Sequence, residues 1–166
     1  LSSSSGLMAA AGGGEEWPEI ERIAEPLINR VNYKSVINAL RQVPAIERAD
    51  LVRLITSPET RLVSDDLSNA ENVIRALREV PAGEREGLVR LITAPETRLV
   101  TDNRLYADKV IDGLRQVPVE DREAFVRLIT APETRLVQDD QWDSHTVIEA
   151  LSEIPPIEWE ALVRLI

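Results

Sequence analysis

Residues 73–100 read VIRALREVPAGEREGLVRLITAPETRLV, and residues 110–137 read VIDGLRQVPVEDREAFVRLITAPETRLV. The second stretch is the first one displaced by 37 positions. The same register extends in both directions: units open at Val36-Ile37, Val73-Ile74, Val110-Ile111 and Val147-Ile148. Two proline series keep step with it, Pro44, Pro81, Pro118 and Pro155 in one and Pro58, Pro95 and Pro132 in the other. A fixed period of this length marks a solenoid or array, in which each unit buries its apolar face against its neighbours. A propeller shares such periods but needs strands of alternating polarity. The apolar spacing here is helical.

Proline is poorly tolerated inside a helix and pushes the preceding residue out of the α conformation, so each unit divides at its prolines into three segments. Val73, Ile74, Leu77 and Val80 lie on one face of a first helix, as do Val36, Ile37, Leu40 and Val43. Ser68 followed by Glu71 has capping-box spacing at the start of one such helix. A second helix begins at the proline and runs through Leu-Val-Arg-Leu-Ile, as in 81–92. The third segment opens Thr56-Ser-Pro-Glu59, Thr93-Ala-Pro-Glu96 or Thr130-Ala-Pro-Glu133. There a threonine is expected to cap a short third helix, with the glutamate reaching back. The fold expected is therefore all-α, a solenoid of 37-residue units with two helices and a short third helix each.

The expected organisation is a Ser/Ala/Gly-rich tail or linker over 1–15, a degenerate capping half-repeat over 16–35, full repeats over 36–72, 73–109 and 110–146, and a partial repeat over 147–166. The tail lacks the basic n-region of a signal peptide. The half-repeat is read from Pro18 to Arg22, which echoes Pro44 to Arg48 at a spacing of 26 residues. The partial repeat stops inside Leu-Val-Arg-Leu-Ile, which suggests a piece of a longer solenoid whose apolar end could self-associate.

Composition narrows the classes of function. Aromatics are 4% of residues, and Leu, Ile, Val and Ala carry the apolar content, as thin helical layers require. There is no cysteine, hence no disulfide, thiolate metal site or thiol nucleophile. This absence fits an intracellular setting slightly better than an oxidising one. No apolar run approaches the roughly 20 residues of a membrane span. The net charge of −10 argues against nucleic acid, whose phosphates demand clustered Lys and Arg. Charge falls to −4 over 110–146 and −3 over 147–166, against +1 over 73–109. That acidity serves solubility or steers a basic protein partner.

The helical unit, its length and its proline punctuation resemble the α-solenoid class that includes HEAT and armadillo repeats, over about 16–166. The resemblance is architectural. The Trp, Gly and Tyr signature of tetratricopeptide repeats and the Thr-Pro-Leu-His of ankyrin are absent. It implies a right-handed superhelix and a protein-binding role along an extended surface.

Polar positions held fixed from unit to unit read as repeat-defining: Arg53, Arg90, Arg127 and Arg164, then Glu59, Glu96 and Glu133, with Thr93 and Thr130 as caps. An arginine in this setting lays its methylenes along the helix and pairs with a nearby carboxylate. A ligand-binding arginine row is the alternative. Positions that vary are the better binding candidates, and they cluster ahead of the first helix at Arg104, Tyr106, Trp142 and Asp143. Large aromatics are enriched at interface hot spots, although Trp142 could equally pack against a neighbouring unit. Trp17 is expected to cover the core at the N-terminal cap, and Trp159 stands where Arg85 and Arg122 stand in earlier units.

No catalytic, cofactor or metal pattern emerges. His145 is the only histidine, aligned with Lys34, Glu71 and Asp108, and reads as a solvated helix start. Asp65-Asp66 and Asp139-Asp140 lack the ligand spacing and glycine of an EF-hand. Gly12 to Gly14 follow no strand, as a phosphate loop would. The expected function is a non-enzymatic protein-interaction module or scaffold segment. The alternatives are a structural spacer and, remotely, a carboxylate-dependent enzyme.

Overall fold

A computed structural model describes residues 16–97, 99–100, 106–132 and 144–165. Among these the regular structure is helical, with no strand. Helix α1 spans Glu16–Ala24 and runs into a 3-10 turn at Glu25–Leu27. It is followed by α2 (Tyr33–Arg41), α3 (Ala45–Thr56), α4 (Ala70–Arg78) and α5 (Ala82–Thr93). Helix α6 spans Ala107–Arg115, and a 3-10 turn at Val119–Asp121 leads into α7 (Arg122–Thr130). Helices α8 (Ser144–Ser152) and α9 (Pro156–Leu165) complete the described chain.

Helices α2, α4, α6 and α8 begin 37 residues apart, and each packs against the next. A second row, α3, α5, α7 and α9, packs in the same order. Helix α1 lies against both α2 and α3. One core runs between the rows, made by Val36, Ile37 and Leu40 of α2 with their equivalents Val73, Ile74 and Leu77, and Val110, Ile111 and Leu114. Leu51, Val52 and Ile55 contribute from α3, with Leu88, Val89 and Ile92 from α5 and Phe125, Val126 and Ile129 from α7. Small residues let the first row close up. In α6 the position of Ala39 and Ala76 is Gly113, and a Cβ there would stand 2.5 Å from Cγ2 of Ile148 in α8.

The prolines act one position earlier than the sequence suggests. Pro44, Pro81 and Pro118 adopt φ −53° with ψ near 138° and precede their helices as N-caps. Their extended geometry turns the chain sharply between the two rows. Pro18, by contrast, sits in the first turn of α1, where its missing N–H is harmless.

The expected short third helix is not formed in the described residues of this segment. After Thr56 the backbone leaves the helical region at Ser57 (ψ 136°), as a residue before proline must. A single turn follows, with the N–H groups of Thr60 and Arg61 both donating to Ser57 O. Arg61 then takes a left-handed φ of 44°, which ends any propagation. The threonine caps are also corrected. Thr56, Thr93 and Thr130 are the last residues of α3, α5 and α7, and their hydroxyls donate backwards to the carbonyls of Val52, Val89 and Val126 at 2.7 Å. The residues that tie the turn to the helix are Thr60 and Thr97, whose hydroxyls reach Leu54 O at 2.8 Å and Leu91 O at 2.7 Å.

The capping box expected at Ser68 and Glu71 is likewise replaced. Asn69 is the N-cap of α4, and its amide holds the preceding loop, accepting from Ser64 N at 2.8 Å and donating to Leu62 O at 3.1 Å. Glu71 pairs with Arg75 one turn on.

Candidate functional site

The buried charged groups among the described residues lie on α3, α5 and α7, and they are not the arginines singled out by repetition. Arg48, Arg85 and Arg122 are 3%, 7% and 6% exposed. The Nε–H of Arg85 is shared between Leu77 O and Val80 O at 2.8 and 2.9 Å, and Nη2 approaches Arg78 O. Arg48 makes the same bonds to Leu40, Val43 and Arg41, and Arg122 to Leu114, Val117 and Arg115. Each guanidinium therefore adds donors at the carbonyls that end a first-row helix, where the leucine carbonyl also accepts the N–H of the valine three residues on at 3.0 Å, and its positive charge sits at the negative end of the helix dipole.

Two of these side chains also bind one helix pair to the one before it. Nη1 of Arg85 meets Oε1 of Glu47 at 2.8 Å, and Nη1 of Arg122 meets Oε1 of Glu84 at 2.9 Å. At the equivalent place in α9 stands Trp159, whose indole N–H is shared between Leu151 O and Ile154 O, both at 2.9 Å. Trp159 so reproduces the Nε bonds without a charge. Its ring packs 4.7 Å from that of Phe125, an apolar contact where the earlier junctions have an ion pair.

Arg53, Arg90 and Arg127 lie on the opposite, solvated face. Their side chains are 72%, 56% and 64% exposed and pair with Asp50, Glu86 and Glu123 on their own helices. Glu59 comes within 3.7 Å of Arg90, and Glu96 is exposed. Exposed pairs of this kind add little stability. Glu133 lies outside the described residues, as does the side chain of Arg164.

Signals for the buried row were present in the sequence. Position 48 shares a helical face with Leu51, Val52 and Ile55, at spacings of three, four and seven, so a charged residue repeated there points inward. The glutamate before it, Glu47 or Glu84, has no such local signal, because its partner is 38 residues away.

Of the variable candidates, Tyr106 is half-buried at the N-cap of α6. It takes the place held by Asn69 and Asn32, which clip the preceding loop. Asn32 donates to Leu27 O at 2.8 Å and Leu67 O at 3.2 Å. Arg104, Trp142 and Asp143 lie outside the described residues. Trp17 is partly buried against the core, donates to Tyr33 Oη at 3.3 Å and carries the Arg41 guanidinium 5.8 Å from its ring centroid. The Tyr33 hydroxyl donates to Glu21, a bond that raises its pKa.

A trough of about 460 Å3 separates α3 from α5, lined by Leu51 and Leu54 and by the ion-paired Arg85, Arg53 and Arg90. Its charges are matched within the chain. The solvated face of the first row differs in that its equivalent positions change character, from Asn38 to Arg75, Asp112 and Glu149. Burial pushes the Asp112 carboxyl up; Asp108 and Glu79 add to this, while Arg115 opposes it.

No group of side chains suited to a metal ion occurs among the described residues, and no helix there is long and apolar enough to cross a membrane. Comparison with protein-family profiles, characterised proteins and solved structures gives no match.

Proposed function

We propose that the chain is a non-enzymatic protein-binding segment of an α-solenoid, whose 37-residue units each contribute two helices and a turn. What supports the solenoid is the Arg85–Glu47 and Arg122–Glu84 pairing, one contact made twice at the same period between successive helix pairs. The degenerate half-unit at the N-terminal end would be α1, packed on α2 and α3.

The observation that carries the binding reading is a contrast between the stacking contacts and the outward positions of the first row. Contacts that hold the stack repeat from pair to pair, whereas the equivalent outward mid-helix positions of the first row run Asn38, Arg75, Asp112 and Glu149, the first and last exposed and the middle two half-buried. A spacer needs no such variation on a solvated face, while a surface that recognises one partner does. The test is capture of partners on the immobilised chain, compared with a variant carrying Asn38, Arg75 and Glu149 all as alanine. A stoichiometric partner retained by the parent and lost by the variant, at unchanged helicity, supports the reading. Equal capture by both removes the first-row face as the binding surface, and capture by neither moves the assignment to a spacer.

A further inference from the structure

The helices of the first row carry net charges that fall in order along the stack. Helix α2 is +2, from Lys34 and Arg41, and α4 is +1, from Glu71, Arg75 and Arg78. Helix α6 is 0, with Asp108 and Asp112 against Lys109 and Arg115, and α8 is −1, from Glu149. With the residue after each helix included, Gln42, Glu79, Gln116 and Glu153, the values become +2, 0, 0 and −2, which levels the middle and widens the difference between the ends. Lys34, Arg41, Glu149 and Glu153, which set the charge at the two ends, are exposed, so packing does not impose the sign of either end, while Glu71, Arg75, Arg78, Asp108 and Asp112 between them are half-buried. Nor does the stack require it. In the second row α3 and α5 are each neutral, with Glu47 and Asp50 against Arg48 and Arg53 in the first and Glu84 and Glu86 against Arg85 and Arg90 in the second, while α7 with its leading turn and α9 are each −1, so that row shifts by one charge where the first row shifts by three. Solubility calls for charge but not for a polarity.

Resting on the reading of the chain as a binding module, we infer that the first-row face takes an extended polypeptide segment with an acidic block at one end and a basic block at the other, the acidic block on α2 and the basic block on α8. Adjacent packed helices sit roughly 8–10 Å apart, so the path from α2 to α8 is roughly 25–30 Å. An extended chain advances about 3.3 Å per residue and crosses that distance in roughly eight or nine residues. Opposed charges at the two ends fix direction and register, and like charges reject a segment laid down the other way.

The probe is a fluorescent peptide of four glutamates, a Gly-Ser-Gly-Ser spacer and four lysines, titrated with the full chain by anisotropy at low ionic strength. Controls are a peptide of the same composition with the charges alternating, and the spacer with the lysine block alone. Expected is binding of the block peptide at least about tenfold tighter than either control, weakening steeply as salt shortens the screening length. The preference should disappear in a Lys34→Glu, Glu149→Lys double variant, whose melting curve should match the parent's because both sites are exposed. Equal binding of the block and alternating peptides overturns the inference, as does no binding. Equal binding of the lysine block alone also overturns it, and assigns the effect to the overall charge of −10. Partner capture that persists in the double variant leaves the binding module standing and removes only the polarity; loss of capture in the triple-alanine variant together with block-peptide selectivity supports both.

Discussion

Replacing Arg85 by alanine leaves Leu77 O with the Val80 N–H at 3.0 Å but takes from Val80 O and Glu47 the donors that Arg85 gives them. Its Nε–H serves two carbonyls of α4 and the following turn, and its Nη1 holds Glu47 of the preceding helix pair. Taking one partner out of a buried charge pair costs about 3–5 kcal/mol. Glu47 keeps 30% of its side chain exposed and can be rehydrated, which places the loss near the lower end, at about 3 kcal/mol. Arg85→Trp should behave differently. At Trp159 the indole N–H already makes both carbonyl bonds, so tryptophan at 85 restores them and leaves only Glu47 to solvent, a cost of about 1 kcal/mol. Urea unfolding followed by circular dichroism reads both. With a denaturant slope of about 1–3 kcal/mol per molar, the alanine variant should unfold about 1–3 M earlier than the parent, and the tryptophan variant should recover most of that shift. Equal loss in the two variants, or a loss below about 1 kcal/mol for alanine, would refute the account in which carbonyl satisfaction is what the buried arginine provides.

The glycines should separate by surroundings. Gly113→Ala should destabilise by about 1–2 kcal/mol in thermal melts, since the added methyl meets Ile148 Cγ2 at 2.5 Å and overpacking outweighs the gain in helix propensity. Gly83→Ala and Gly87→Ala, with open space at the new Cβ, should each stabilise by about 0.5–1 kcal/mol. Thr97→Val should cost about 1 kcal/mol in the same assay, because the hydroxyl that caps Leu91 O is lost while the side-chain shape is kept. For Asp112 the folded pKa lies above the unfolded one, so its ionisation disfavours the fold: stability from this group is present at low pH and declines as pH rises from the unfolded value of about 3.9 through the folded value. Asp112→Asn should remove that decline, read as a flatter pH dependence of the urea midpoint across the acidic range.

Much of the architecture was written in local pattern. The proline spacing and the apolar faces at Val36, Ile37 and Leu40 place the helices of both rows within a few residues, since helix formation depends on neighbours three and four positions apart. Sequence also marked the first-row starts as the places where residues change, and Tyr106 does fall at such a start. Where the reading failed, the reason was competition between hydrogen-bond partners close together in the chain. Thr93 could cap forward or bond backward, and the extended Ala94 that precedes Pro95 decides for Val89 O; the same proline rule leaves the third segment a turn.

The roles of the two arginine series could not be separated by repetition, because both recur at 37 residues and selection for a buried contact looks like selection for a solvated one. Helical phase puts Arg48, Arg85 and Arg122 on the inner face, but what they do there depends on carbonyls five and eight residues back and, for Arg85 and Arg122, on a glutamate 38 residues back. By itself, the sequence determined the period, the helices and the polarity of the charge along them. Only the tertiary structure decided which charges are buried, which carbonyls they satisfy and which helix each one clasps, since those partners become neighbours through the packing of one helix pair on the next.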